Sequence, residues 1–288
     1  MKNIAIVTDS TSGIPQQEAK DMGIFVLPMS FNIDNKIYYE GMDLTAEKFF
    51  EMQEKDAEIS TTAPSPGELL ALWEKVLADY EKLIYIPLTS GLSSACNTAK
   101  ILSQHYDGRV LVADNHRVSV PLRQAIYDAL NMVKEGKTAE EIHEYLEKDG
   151  LNSSIYITLN TLEYLKKGGR LTPAVAAIGE VLGIKPVLQI QGGKLDIFSK
   201  CRGLTIAKKK MLKAIEDDMN TRFAKDVESG NIALEVAYSG DYENALAWKA
   251  EVEKHFPGYE IQMDPLALNI CCHTGAGALG VGCTRKYK

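Results

Sequence analysis

The sequence predicts an α/β protein built as two domains, and three observations carry that expectation. In the first half, short runs rich in Ile and Val alternate with amphipathic stretches, the pattern of parallel βαβ units with helices on both faces of a sheet. Near residue 150 the texture changes to a mixed order of strands and helices that includes a hairpin signal at Gly192-Gly193. The 288 residues, 45% of them hydrophobic, suffice for two ordinary cores. The expected domains are residues 1–150 and 151–288.

Taken in order, NIAIVT (3–8) opens the sheet and QQEAKDM follows as an amphipathic stretch. Further apolar runs stand at 24–31 (IFVLPMSF), 82–88 (KLIYIPL) and 109–114 (RVLVAD). TAEKFFEMQ (45–53), GELLALWEKVLADY (67–80), a stretch from Ser93, and residues 118–134 and 138–148 carry helical patterns. Thr138 and Glu141 have capping-box spacing at the start of the last of these. In the second half SSIYITL reads as a strand, NTLEYLKKGG as a helix closed by glycines, and TPAVAAIGEVLGI as a very apolar helix whose one strongly polar residue is Glu180. KPVLQIQGGKLDIFSK is the hairpin. A charged helix (203–221), the strand NIALEVAYS, the helix YENALAWKAEVEKHF and the strand YEIQMD complete the set.

A formal net charge of −7 argues against nucleic acid or an anionic membrane surface as partner. The N-terminal apolar run is too short for a signal-peptide core, and no stretch is long enough to span a bilayer. Five cysteines without framework spacing fit reduced thiols in a cytoplasmic protein.

Three apolar runs end in polar clusters: TDSTS (8–12), TSGLSS (89–94) and ADNHRVS (113–119). In open parallel sheets ligands bind beyond the carboxyl ends of strands, so a site is expected there. Gly91-Leu92-Ser93-Ser94-Ala95 is a nucleophile elbow lacking its last glycine. Three readings of Ser93 remain open at this level: a helix cap, part of an anion site at a helix N-terminus, or the nucleophile of an esterase with His273 as base. Ser65, Pro66 and Glu68 have the spacing of a helix start, which leaves Thr61 and Thr62 as hydroxyls free to face a site. Near the C-terminus Gly275, Gly277 and Gly280 spell G-x-G-x-x-G, but only eight residues follow, too few for a dinucleotide fold. Cys271, Cys272, His273 and Cys283 lack metal-site spacing, so no metal is expected. Lys166 and Lys167 suit the end of a helix, whereas Arg170, after two glycines, is placed to meet an anion.

The ordered series TDSTS, TTAPSPGE, SGLSSA, LEYLKKGGRL and HTGAGALGVG covers nearly the whole chain and resembles the DegV family. The resemblance implies a two-domain DegV-like fold, with an N-terminal parallel Rossmann-like sheet followed by a mixed α/β domain and the ligand between them. It implies a non-enzymatic, fatty-acid-binding subunit of a bacterial fatty acid kinase. An ATP-binding subunit would phosphorylate the bound long-chain acid and feed phospholipid synthesis. No cofactor beyond the bound acid is implied, and the chain has no P-loop of its own. Carried onto this sequence, the carboxylate-binding residues resemble Ser93, Ser94, Thr61 or Thr62, and His273. Arg170 and Arg202 resemble basic positions at the pocket mouth and partner surface. A bound carboxylate is expected to favour protonated His273. The apolar stretches AVAAIGEVLGI and IFVLPMSF are expected to wall the tail.

Overall fold

A computed structural model describes residues 2–170, 172–176 and 184–288. The chain opens with strand β1 (Lys2–Asp9), helix α1 (Gln16–Met22) and strand β2 (Phe25–Leu27). A hairpin of β3 (Ser30–Ile33) and β4 (Lys36–Tyr39), helix α2 (Ala46–Glu54) and strand β5 (Ile59–Thr61) come next. Then follow α3 (Pro66–Leu77), β6 (Tyr80–Ile86), α4 (Ala95–Ser103), β7 (Val110–Val112), α5 (Val120–Lys134) and α6 (Ala139–Asp149). The second half begins with β8 (Ser153–Thr158), α7 (Glu163–Lys167), α8 (Pro173–Ala176) and the hairpin β9 (Ile184–Gln191) and β10 (Lys194–Arg202). It ends with α9 (Leu204–Asn220), α10 (Ala224–Glu228), β11 (Ile232–Tyr238), α11 (Tyr242–His255), β12 (Ile261–Pro265), α12 (Leu268–Thr274) and β13 (Leu279–Arg285).

The first sheet, in the order β2-β1-β6-β7, is parallel throughout. Its strands are apolar on both sides because both sides are covered. Ile6 and Ile84 pack under α1, α5 and α6, while Ala5, Val7 and Leu83 pack under α3 and α4 around Trp73. The second sheet, β10-β9-β8-β13-β11-β12, is antiparallel except for its β11–β12 pair. On one face Tyr156, Leu279, Val281 and Cys283 pack against α9 and α11 through Met211, Ile215, Trp248 and Val252. Its other face turns toward the rest of the chain.

Several elements depart from the sequence reading. The run 24–31 is split: β2 ends in the parallel sheet at Leu27, and β3 starts at Ser30 in a separate sheet ordered β4-β3-β5. Pro28 lies between them and has no N–H to give a ladder. This small sheet and α2 share a core with the second half, with Phe31 and Phe49 in one cluster with Leu188, Ala237 and Leu268. The first and second sheets change over between Asp149 and Ser153. Helix α4 begins at Ala95, two residues after the expected Ser93. The helix expected over TPAVAAIGEVLGI is described only as α8; its residues 177–183, with Glu180, lie outside the described residues. The C-terminal glycines, whose sequence pattern leaves close backbone packing or approach to a ligand, follow α12 and run into the central strand β13.

Candidate functional site

A cavity lies between the carboxyl end of the parallel sheet and the free face of the second sheet. Its wall takes Leu88, Leu92 and Ser93 from the loop after β6, Val118 to Val120 from the loop after β7, and Ile155, Ile157, Leu188, Ile190 and Ala237 from β8, β9 and β11. Thr61, Thr62 and Ala63 at the end of β5, Leu165 and Arg170 around α7, and Asn269, Ile270 and His273 on α12 belong to it as well. Most of this lining is aliphatic. Leu92, Ser93, Arg170 and Leu195 also border an outer groove, so they mark where the cavity opens. The β9–β10 turn presses on that opening, since a Cβ at Gly91 would overlap the carbonyl of Gly193.

The polar groups at this end are tied to one another. Thr61 Oγ1 and His273 Nε2 are 3.0 Å apart. Nδ1 of His273 is buried with no hydrogen-bond partner among the described residues. A bare ring nitrogen costs less to bury than an unmet N–H, so Nε2 carries the proton and donates to Thr61. The Thr61 hydroxyl then remains free to donate to a ligand oxygen. Burial, and next the charge of Arg170, push the imidazole down to about 4. His273 is therefore neutral near pH 7, and the positive charge beside it is that of Arg170. Protonation, expected from the sequence only with a carboxylate bound, requires that anion to counter both effects. Arg170 is exposed, donates to the Gly168 carbonyl at 2.8 Å, and turns into the mouth.

Ser93 Oγ accepts from Ala95 N at 3.2 Å, so its oxygen takes up one free N–H of α4 while its own proton stays available. Neither a histidine nor a carboxylate is bonded to it among the described residues. Thr62 is exposed and pairs with Ser30 at 3.2 Å, whereas Thr61 is the threonine joined to His273. Ser94 and Arg202 do not reach the cavity. Ser94 is exposed on the outer groove. Lys194 at the start of β10 borders that groove, and Arg202 is eight residues along the strand, roughly 26 Å away at ~3.3 Å per residue. Asn269 is a polar lining residue that no sequence motif marks, while Ser119 and Thr274 stand there only as members of ADNHRVS and HTGAGALGVG. Ser119 carries a signal visible only in the structure, a positive φ of 57° at a non-glycine residue.

Two of the three polar clusters turn out to be largely scaffold. Asp9 accepts from Thr11 N at 2.9 Å and Leu88 N at 2.9 Å, and so holds the loops after β1 and β6 together. Arg117 is 2% exposed and donates to Asp149 at 2.7 Å, which also accepts from Arg285 Nε at 2.6 Å. Asp9 and Arg117 thus brace loops of the first half instead of facing a ligand, and Asp149 joins that half to the second through Arg285. Among the described residues, no group of three or more His, Cys, Asp or Glu side chains could hold a metal ion, and no helix is long and apolar enough to cross a membrane.

Comparison with known proteins agrees with the architecture. A family model described as "Uncharacterised protein, DegV family" matches residues 3–286. A DegV domain-containing protein of Listeria innocua is 31% identical over 285 residues, 97% of this chain and 98% of its own. One from Staphylococcus aureus (strain N315) is 30% identical over 281 residues, 98% of each. The fold superposes on a DegV family protein from Thermus thermophilus described for its fatty acid binding, with TM-score 0.89 and 28% identity over 98% of this chain and 99% of that one. It also superposes on DegV, a fatty acid binding protein from Bacillus subtilis, with TM-score 0.86 and 26% identity over 99% and 100%. On the whole-chain match and these relatives, the protein belongs to the DegV family.

Proposed function

We propose that this protein holds a long-chain fatty acid in the cavity and presents its carboxylate at the mouth to a separate ATP-dependent kinase subunit. The observation that carries the reading is an aliphatic cavity whose open end gathers Ser93, Thr61, His273 and Arg170. A tail of ~15 methylenes gains roughly 12 kcal/mol on burial before association costs are subtracted. The carboxylate is the expensive part, and hydroxyl donors beside a guanidinium offset its desolvation. The relatives from Thermus thermophilus and Bacillus subtilis bind fatty acids through the same fold.

At the mouth the carboxylate is reachable from outside, as acyl-phosphate formation requires. Its oxygen attacks the γ-phosphorus of ATP held by the partner, and ADP leaves. Arg170 is the side chain best placed to face both. Reduced thiols and an ATP-using partner fit a cytoplasmic setting, and the acyl phosphate would supply phospholipid synthesis. The esterase reading of Ser93 lacks support from the geometry: its oxygen engages a backbone N–H, and the histidine proposed as base is bonded to Thr61 instead of Ser93, with no carboxylate on its Nδ1 among the described residues.

Mass spectrometry of the purified protein, native and after denaturing extraction, is the test. We expect an intact fatty acid released without a covalent trace, and no ester hydrolysis that depends on Ser93. A stable acyl adduct lost in Ser93→Ala would establish the nucleophile instead, and absence of lipid would refute the carrier reading. The kinase role is checked separately: Arg170→Ala should cut ATP-dependent acyl-phosphate formation with the partner by more than the accompanying loss of lipid affinity accounts for.

A further inference from the structure

Gly280 and Gly282 sit in β13, the strand at the centre of the second sheet, and both line the cavity. A central strand is a poor place for glycine, which contributes no side chain to packing and weakens the strand. Three causes could require it there: backbone conformation, crowding by the protein, or space left for something else. Conformation is excluded at both positions, since neither has a positive φ. Crowding explains Gly282, where a Cβ would come within 2.8 Å of Glu235 Oε2, a buried carboxyl held by Thr284 at 2.9 Å. It does not explain Gly280. A Cβ there would meet Ala237 O and Tyr156 O at 3.6 Å and Ile157 Cβ at 3.7 Å, all ordinary contact.

The register shows what the missing side chain opens. Leu279, Val281 and Cys283 point to the α9–α11 side, so Gly280 points to the cavity. Its cross-strand neighbours on that face are Ile157 of β8 and Ala237 of β11, both lining the cavity. Ile157, Gly280 and Ala237 thus form a row with one large side chain, none and a methyl. The row leaves a shallow trough over the β13 backbone, in which an alkyl chain can lie against the strand itself.

We propose that Gly280 is a specificity-determining residue: it leaves the room that lets the cavity accept long or bulky acyl tails, and a side chain there restricts the protein to shorter, straighter ones. The inference rests on the fatty-acid reading of the cavity and adds which residue of this chain selects among the acids. Lipid-free protein is offered a mixture of saturated, cis-unsaturated and methyl-branched acids of graded length, and the bound set is read by mass spectrometry for wild type, Gly280→Ala and Gly280→Val. Expected is a shift toward shorter and straight chains in Gly280→Ala, larger in Gly280→Val, with a melting temperature for the alanine variant no lower than wild type. Ala237→Val narrows the same trough from the neighbouring strand and should shift the set in the same direction. A folded Gly280→Ala protein with the wild-type lipid set overturns the proposal, as does an unshifted set in Ala237→Val. A wild type that takes up no acid at all overturns the fatty-acid reading and this inference with it, and so is told apart from failure of the inference alone.

Discussion

His273 is held in place by a residue that has no side chain. A Cβ at Gly168 would overlap Nδ1 of the imidazole and come within 3.1 Å of the Tyr164 carbonyl. Gly168 has φ −79°, which any residue adopts, so the close approach alone requires glycine. Gly168→Ala should therefore push the ring off Thr61. We expect at least a tenfold loss of fatty-acid affinity, about 1.4 kcal/mol, with little change in secondary structure. Imidazole NMR provides the direct check. In wild type the His273 resonances should titrate near the low value imposed by burial and Arg170, about 4, and move upward on loading with ligand. Unchanged titration on loading would show that His273 does not sense the carboxylate, and wild-type affinity in Gly168→Ala would show that its position does not matter.

At the scale of elements, the site depends on how α12 is anchored. This helix brings Asn269, Ile270, His273 and Thr274 to the cavity, yet its N-cap, Ala267, has no side-chain acceptor to offer. Glu40, from the loop after β4, supplies the acceptor from a distance. Its carboxyl accepts from Leu268 N and from Asn269 N at 3.4 Å, and takes the Ser10 hydroxyl at 2.9 Å. Ser10 Oγ in turn accepts from Met29 N at 3.0 Å, so one carboxyl ties α12 to the loop after β1 and, through it, to Met29 in the cavity wall. Glu40→Ala leaves these buried donors unmet, at a cost of about 1–3 kcal/mol. A lower denaturation midpoint together with weaker ligand binding is the expected outcome, and an unchanged midpoint would contradict this anchoring role.

Across the whole molecule, buried ionisable groups, Glu40 and Asp128 between the two halves and Glu235 within the second sheet, should give stability an unusual pH profile. Burial raises Glu40 to about 7, Glu235 to about 8 and Asp128 to about 6. Each binds its proton more tightly folded than unfolded, so each contribution is complete below the ordinary carboxylate range and is lost as pH rises through these values. His273 acts in the opposite sense. Its depressed value of about 4, against 6.5 unfolded, removes stability as pH falls between the two. Between about pH 4.5 and 6 the three carboxyls outweigh the one histidine, so calorimetry across pH should find a melting temperature that falls from roughly pH 4.5 toward pH 8, a fall that Glu235→Gln reduces. A melting temperature that rises from pH 6 to 8 would contradict the assignment.

Local pattern made much of this protein legible in the sequence. Period-two and helical patterning, the caps at Ser65 and Thr138, and the Gly192-Gly193 turn are properties of neighbouring residues, and the strands and helices they announce are present. Thr61, Thr62, Ser93, Arg170 and His273 stood out because the ordered motifs resemble one family, and all five border the same cavity. What the sequence by itself determined was therefore the α/β class, the family and most of the cavity's polar residues. Only the tertiary structure decided that residues 30–61 share a core with the second half, and that Asp9 and Arg117 are scaffold while Ser94 and Arg202 stand away from the cavity. It also decided that burial and Arg170 disfavour the charged form of His273, and that Gly280 faces the cavity with only ordinary contacts around it. Each of these depends on contacts between residues far apart in the chain, through burial, a nearby charge or the space beside a strand, and no local pattern of residues records them.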